Sequence, residues 1–167
     1  MTRDELEFSI SQYLDGTLAE SERSALDEVY QAVILKHYRS SKFRGELPEP
    51  DAVVPMRNPV CGDDILLQVQ VREGRIEDIR FSGHGCAISQ AAASMMSEHA
   101  VGKSWDEVHA VAARFRDMLH GDETAARDKA LGDMRALAGV ARLPRRVKCA
   151  MLAWDALEEA EKKLGAE

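Results

Sequence analysis

The chain has 167 residues, a length that suits one compact domain with its own core. Its formal net charge of -7 gives no basic footprint of the kind that binds nucleic acid or anionic lipid. The first residues are acidic and lack the apolar core of a signal peptide, and no apolar run is long enough to span a bilayer. We therefore expect a cytoplasmic protein with neither nucleic acid nor membrane as a partner.

Residues 1–27 are predicted to form a helical N-terminal extension. Leu6, Ile10 and Leu14 recur at four-residue spacing, which marks one face of a helix, and Gly16 suits a helix C-cap. The main domain is then predicted to span residues 28–164.

The main domain is predicted to open with an amphipathic helix over residues 28–40. Its apolar side chains Val29, Val33 and Leu35 are expected to point inward. His37 is a lone histidine on this helix, so we expect it to be solvated or hydrogen-bonded rather than a metal ligand. Residues 40–59 are rich in proline and charge, which predicts an extended loop with one short strand near residues 52–54.

Residues 64–82 carry the clearest strand signal, because apolar and polar side chains alternate along both halves. Glu73 and Gly74 supply the turn of this predicted hairpin. Cys61 and Asp63 precede the first strand, and Cys86 follows the second. Because an antiparallel hairpin returns the chain to its starting point, Cys61 and Cys86 should meet at one end of the sheet.

The remainder is predicted to be helical. A helix rich in small residues follows Cys86 and runs to about His99, and Ser104 caps another that runs to His120. Residues 121–140 are expected to hold one or two short helices. Pro144 begins the last helix, which carries Cys149 in its first turns.

The three cysteines form the most informative set in the sequence. An odd number of thiols in a reducing compartment argues for metal binding, catalysis or plain burial rather than disulfides. Cys86 and Cys149 both fall near helix N-termini, which stabilise thiolates, and Cys61 and Asp63 are spaced to aim two ligands at one point. Zinc accepts thiolate and carboxylate ligands, so Cys61, Asp63, Cys86 and Cys149 are predicted to share one metal ion.

Three motifs resemble those of the U-type iron–sulfur cluster assembly proteins over about residues 28–160. They are Pro59-Val60-Cys61-Gly62-Asp63, Gly83-His84-Gly85-Cys86-Ala87-Ile88-Ser89 and Arg146-Val147-Lys148-Cys149-Ala150-Met151-Leu152-Ala153-Trp154. The resemblance implies an α+β fold, with a small three-stranded antiparallel sheet and helices packed on one face.

Within this family the chain is more similar to the SufU branch than to the IscU branch. The IscU branch has a histidine immediately before the third cysteine and a Leu-Pro-Pro-Val-Lys motif. Here Lys148 stands immediately before the third cysteine in place of the histidine. Arg145 and Arg146 interrupt the segment that corresponds to the Leu-Pro-Pro-Val-Lys motif. The SufU branch has an extra stretch before the third cysteine, matched by residues 121–140, and an arginine matched by Arg146.

The SufU resemblance implies a zinc-dependent sulfurtransferase. Zinc would be held by Cys61, Asp63, Cys86 and Cys149. The implied partners are a pyridoxal-phosphate-dependent cysteine desulfurase of the SufS type, one of whose histidines displaces a thiolate from zinc, and a downstream cluster scaffold of the SufBCD type. The freed thiolate, Cys61 by analogy, accepts persulfide sulfur, and Arg146 steers it or the incoming group.

Several alternatives stay open at this point. The same ligands can hold a transient [2Fe–2S] cluster on a non-enzymatic scaffold, or the zinc can be purely structural. His84 is a competing ligand close to Cys86, and Asp64 is a competing carboxylate, although as a strand residue it should point elsewhere. Arg146 can also be an ordinary surface arginine.

Overall fold

The structure is a computed structural model that describes residues 20–165, with side chains from residue 30 onward. Its elements in chain order are the helix α1 (Glu20–Arg39), the strands β1 (Ala52–Asn58), β2 (Asp63–Arg72) and β3 (Arg75–His84), the helices α2 (Ala87–Ala100), α3 (Trp105–Leu119) and α4 (Glu123–Ala126), a 3-10 segment (Lys129–Arg142) and the helix α5 (Pro144–Gly165).

The three strands form one antiparallel sheet in the order β1-β2-β3. Along β2 the apolar side chains of Ile65, Leu67 and Val69 are buried, as the alternation in the sequence predicts. Glu73 and Gly74 both have positive φ angles, which a two-residue turn between twisted strands favours. The predicted hairpin is therefore confirmed.

The helices α2 and α5 cover the buried face of the sheet. In α2, Ala91, Ala92 and Ala93 are almost fully buried, and such small side chains let a helix approach its neighbours closely. Trp154 of α5 packs against Phe115 of α3, with ring centroids 6.0 Å apart. The predicted α+β architecture, with helices on one face of a three-stranded sheet, is confirmed.

The orientation predicted for the first helix is wrong in one respect. Leu35 is 41% exposed, whereas His37, two residues later, is only 3% exposed. His37 takes an inward position because both ring nitrogens have partners there. Its Nδ1 lies 2.9 Å from Ser94 Oγ and its Nε2 lies 2.8 Å from Asp133 Oδ2.

Two other predicted segments differ in extent. The first strand continues to Asn58 rather than ending near Val54, because an edge strand tolerates Pro55 within it. The stretch 121–140 holds the short helix α4 and most of the 3-10 segment, which is broken where Gly132 adopts a φ of 52°.

The predicted N-terminal extension lies largely outside the described residues, including the helix carrying Leu6, Ile10 and Leu14. Only its last part, from Glu20, is described, and that part is continuous with the rest of α1. Between residues 20 and 165, no helix combines the length and the apolar character needed to cross a membrane.

Candidate metal centre

Cys61 lies in the tight turn that joins β1 to β2. Asn58 and Asp63 are paired across the two strands, and the backbone N–H of Gly62 donates to the Asn58 carbonyl at 2.8 Å. Gly62 has a φ of +71°, a conformation that glycine adopts without strain. This turn leaves the Cys61 side chain partly exposed at the end of the sheet.

Asp63 is the first residue of β2 and is completely buried. Its Oδ1 accepts hydrogen bonds from the Cys86 backbone N–H at 2.9 Å and from the Ser89 hydroxyl at 3.3 Å. Its Oδ2 is also buried, and the described part of the chain offers it no donor in normal hydrogen-bond geometry. A buried carboxylate oxygen without a donor is costly, so this atom is suited to a cation.

Cys86 is the N-cap residue of α2, as its position in the sequence predicts. Its Sγ accepts from the Ser89 backbone N–H at 3.5 Å. Gly85 permits the close approach of this segment to Asp63. A Cβ atom at position 85 would lie 2.6 Å from Asp63 Oδ1 and 2.5 Å from Ser89 Oγ.

Cys149 is fully buried near the start of α5, and its Sγ lies 3.0 Å from that of Cys61. The side-chain amide of Asn58 donates to Cys149 Sγ at 3.6 Å. Burial raises the pKa of the Cys149 thiol far above its usual range. The proximity of Cys61 and Asp63 to the protonated thiol raises it further, as does the negative charge of Cys86 and Asp63. Coordination to a divalent cation reverses this preference by deprotonating the thiol.

Three predicted ligands therefore meet at one point. Ligand atoms of Cys61, Asp63 and Cys149 all lie within 4.8 Å of one another. Cys86 Sγ is outside this group, although its backbone binds Asp63, so its role as the fourth ligand stays a prediction. Two thiols and a buried carboxylate oxygen that lacks a donor fit the ligand preferences of zinc.

Arg146 lies on the exposed side of this cluster. Its interaction with Cys149, together with negative charge on the Cys86, Cys149 and Cys61 sulfurs, raises the pKa of its guanidinium. Arg146 is exposed, as an ordinary surface arginine would be, so that alternative stays open. Whether it acts in catalysis stays a prediction.

The competing ligands lie elsewhere. His84 is exposed at the end of β3 and lines a cavity with Tyr38 and Arg44. Asp64 points away from the cluster, with an Oδ2 3.9 Å from the guanidinium of Arg57. Neither belongs to the group of ligand atoms that converges in the described residues.

Asn58, Ser89 and Gly85 are functional candidates that sequence reasoning missed. Asn58 stands five residues before Asp63, and only the β1–β2 register brings its amide to Cys149. Ser89 carried a signal, because a serine three residues after an N-cap can bond back into the helix start. The steric role of Gly85 depends on the packing of two separate segments.

Comparison with known proteins gives consistent results. A family model described as the NifU-like N terminal domain matches residues 29–166. A protein of Streptococcus pyogenes serotype M1, named iron-sulfur cluster assembly scaffold protein IscU, is 46% identical over 140 residues, which are 84% of this chain and 87% of that protein.

Two further relatives carry the SufU name. The zinc-dependent sulfurtransferase SufU of Bacillus subtilis (strain 168) is 41% identical over 138 residues, which are 83% of this chain and 92% of the relative. A crystal structure from Fervidobacterium islandicum AW-1, of a candidate iron–sulfur cluster assembly scaffold protein for the SUF system (FiSufU), superposes with a TM-score of 0.71 at 33% identity. The superposition covers 80% of this chain and 96% of the chain in that crystal structure.

Proposed function

Because this chain belongs to the NifU-like N-terminal domain family, we propose that it takes part in iron–sulfur cluster assembly as a zinc-dependent sulfurtransferase. The relative from Bacillus subtilis that bears this name covers most of the chain, which supports the proposal. The single observation that carries it is the convergence of Cys61, Asp63 and Cys149 at the end of the sheet.

In this proposal zinc is held by Cys61, Asp63, Cys86 and Cys149. When bound, zinc keeps these thiols deprotonated at neutral pH without any redox chemistry of its own. Asp63 supplies a harder oxygen donor whose position is fixed by the Cys86 N–H and the Ser89 hydroxyl.

Cys61 is the acceptor thiolate in this proposal because it lies in a turn, whereas Cys86 caps a helix and Cys149 lies within one. Cys149 is buried and accepts from Asn58, and Cys86 is fixed in the cap of α2. The Cys61 thiol is partly exposed in a turn, and its contact with the main chain is a 3.8 Å approach to the Arg145 carbonyl. It can therefore reach a partner while the other ligands stay in place.

The transfer step is a thiolate–persulfide exchange. The Cys61 thiolate attacks the terminal sulfur of a donor persulfide, a new S–S bond forms on Cys61, and the donor cysteine leaves as a thiolate with the electron pair of the broken S–S bond. No external oxidant or reductant is needed. In this proposal Arg146 stabilises negative charge on the sulfurs during the exchange, which the raised pKa of its guanidinium supports.

The proposed persulfide donor is a pyridoxal-phosphate-dependent cysteine desulfurase of the SufS type, and the proposed recipient is a cluster scaffold of the SufBCD type. We place the reaction in the cytoplasm, where thiols of this kind stay reduced. The main domain is proposed to span residues 28–164, and residues 1–27 to be an extension of it.

A second candidate function is a scaffold that assembles a [2Fe–2S] cluster on the same ligands. It is favoured by the Streptococcus pyogenes relative, which is named as a scaffold. Lys148 argues against it, because the IscU branch that this chain resembles less has a histidine at that position. A purely structural zinc site is a third candidate, and the exposure of Cys61 argues against it.

Metal analysis of protein purified without oxygen separates the first two candidates. We expect close to one zinc per chain and no visible chromophore. Iron and sulfide in equal amounts would instead identify a cluster scaffold.

Mutation of Cys61 separates sulfur transfer from a structural site. We expect Cys61→Ser to abolish stimulation of a cysteine desulfurase assayed without reductant, because a hydroxyl cannot accept the persulfide sulfur. Mass spectrometry should show one added sulfur on wild-type Cys61 and none on the variant. Cys61→Ser protein that still accelerates the desulfurase would exclude Cys61 as the acceptor.

A further inference from the structure

A run of basic residues lies at the start of α5, beside the candidate metal centre. Four of the seven residues from position 142 to 148 are cationic, and all four are exposed; they are Arg142, Arg145, Arg146 and Lys148. None of them forms an ion pair with a carboxylate in the described part of the chain, even though the whole chain carries a net charge of -7.

The position of these charges disfavours a purely structural role. The first turn of α5 contains no acidic residue, and cations at a helix N-terminus oppose the helix dipole. Arg146 is set aside here because it was already predicted to act on the cysteine sulfurs. Arg142, Arg145 and Lys148 have no such predicted role, so neither folding nor the metal centre explains them.

Exposed aliphatic side chains lie among these charges. Val60 is 64% exposed and Leu143 is 51% exposed, which makes them the two most exposed large apolar side chains of the described residues. Both belong to segments next to Cys61. Val60 precedes it in the turn, and the Arg145 carbonyl, two residues after Leu143, lies 3.8 Å from Cys61 Sγ.

A cavity of about 400 Å³ opens beside this surface. Its lining residues are Leu119, His120, Ala141, Pro144, Val147 and Lys148. Four of the six lining residues are apolar and the other two are His120 and Lys148, so the cavity can accept an apolar side chain flanked by a carboxylate. We call Val60, Arg142, Leu143, Arg145 and Lys148 together the basic rim.

We propose that the basic rim docks the protein that donates the persulfide, through an acidic surface with an apolar side chain close to the donor cysteine. This inference rests on the proposed function, because it assigns a docking surface to the same site. Charge complementarity raises the rate of encounter and orients the partners, and the desolvated aliphatic contact beside Cys61 then slows dissociation. Val60 precedes the acceptor residue and the Arg145 carbonyl lies 3.8 Å from Cys61 Sγ, so docking at the rim brings the persulfide close to this thiol.

The test reverses two rim charges and measures binding rather than sulfur transfer. The variant Arg142→Glu/Arg145→Glu is compared with Lys42→Glu/Lys129→Glu, which makes the same change in net charge at two exposed lysines outside the rim. The dissociation constant for a cysteine desulfurase from the same cell is measured with each protein at low and high salt, after its zinc content and melting temperature are shown to match wild type.

We expect the rim variant to bind the desulfurase about tenfold more weakly at low salt, mainly through a slower association rate. The control variant should stay within about twofold of wild type, and the difference between rim variant and wild type should shrink as salt rises. The neutral variant Arg142→Gln/Arg145→Gln should fall between wild type and the charge reversal. Equal affinities for the rim and control variants would overturn the proposal.

Heparin serves as a second probe, because a basic run can also bind polyanions without any protein partner. If the rim variant lost affinity for heparin but not for the desulfurase, the surface would be a polyanion site and the proposal would be wrong. Because binding is read directly, rim-dependent docking together with a failure of sulfur transfer would reject the proposed function and leave the docking surface intact.

Discussion

At the scale of single residues, the candidate centre depends on how Asp63 is held. A buried carboxylate needs partners for both oxygens, and the described residues supply them in normal hydrogen-bond geometry for Oδ1 alone, through the backbone of Cys86 and the hydroxyl of Ser89. The remaining oxygen is therefore aimed at a fixed point before any ion arrives. Gly85 makes this arrangement possible, because any larger residue would occupy the space next to Asp63 Oδ1.

We predict that Gly85→Ala weakens zinc binding by about 10- to 100-fold, the usual effect of disturbing the groups that orient a ligand. The added methyl group would lie 2.6 Å from Asp63 Oδ1 and 2.5 Å from Ser89 Oγ, so one of them has to move. Competition with a chromophoric chelator measures the affinity. Gly139→Ala is the matched control, because no atom lies within 4 Å of its Cβ position. Equal zinc affinity in both variants would contradict this account of Gly85.

The sequence predicts which residues belong to the candidate site better than it predicts which of their atoms are in contact. The sequence singles out Cys61, Asp63, Cys86 and Cys149, and the ligand atoms of all but Cys86 converge. Asn58 could not be found this way, because its amide reaches Cys149 only through the pairing of Asn58 with Asp63 across β1 and β2. Periodicity identifies a buried face, but it does not report which polar atoms meet behind it.

At the scale of elements, His37 ties α1 to the 3-10 segment. Its ring bonds Ser94 of α2 on one side and Asp133 on the other, and Lys36 lies 3.7 Å from the same carboxylate. The hydrogen bond from His37 lowers the pKa of Asp133, with smaller contributions from the charges of His37 and Lys36. This contact explains why His37 rather than Leu35 faces inward.

We predict a pH-dependent loss of stability in Asp133→Asn. A carboxyl group whose pKa is lowered by folding stabilises the protein above its unfolded pKa of about 3.9, and the effect disappears as pH falls through the lower folded value. Because the Asp133 side chain is 48% exposed, solvent screening should keep the contribution below about 1 kcal/mol. Urea unfolding of wild type and variant should differ at pH 7 and converge in acid.

Asp117→Asn is the control for this experiment, since the Asp117 carboxylate has no hydrogen-bond or ion-pair partner among the described residues. Its effect on the free energy of unfolding should not share the acid-dependent convergence. A constant difference between wild type and Asp133→Asn across the pH range would show that the carboxylate charge plays no part.

The helices and strands with the strongest local sequence patterns were the ones whose bounds were predicted best. The hairpin of β2 and β3 and the start of α5 at Pro144 were found because alternation, turn residues and proline each act locally. The length of β1 was underestimated, because Pro55 reads as a break although an edge strand accepts it. The 3-10 segment has only weak local signals, and its contacts with α1 and α3 form between distant parts of the chain.

At the scale of the whole molecule, the candidate ligands come from separate parts of the fold. Cys61 lies in the turn after β1, Asp63 in β2, Cys86 at the start of α2 and Cys149 in α5. An ion bound by all four would link the sheet to two helices. Binding to the folded state alone then adds to the stability of the entire domain.

We predict that zinc-loaded protein melts about 5 to 10 °C above chelator-treated protein when zinc is present at about 100 times its dissociation constant. Such binding stabilises the folded state by about 2.7 kcal/mol, and a domain of this size gains about 2 to 4 °C per kcal/mol. Scanning calorimetry measures the shift. The double variant Cys61→Ser/Cys149→Ser should show no response to the chelator, and an unchanged melting temperature in wild type would argue against a bound metal at this centre.

The edges of the sheet bear on how the protein can be recognised. The outer edge of β3 is covered at one end by the backbone of residues 43–45 and at the other by residues 102–104. On β1, Pro55 has no backbone N–H to donate, and the Lys163 ammonium group donates a hydrogen bond to the Val53 carbonyl. Addition of a foreign strand is therefore obstructed on both sides. Recognition must rely on side chains, so a few surface substitutions can change the choice of partner while the backbone framework stays the same.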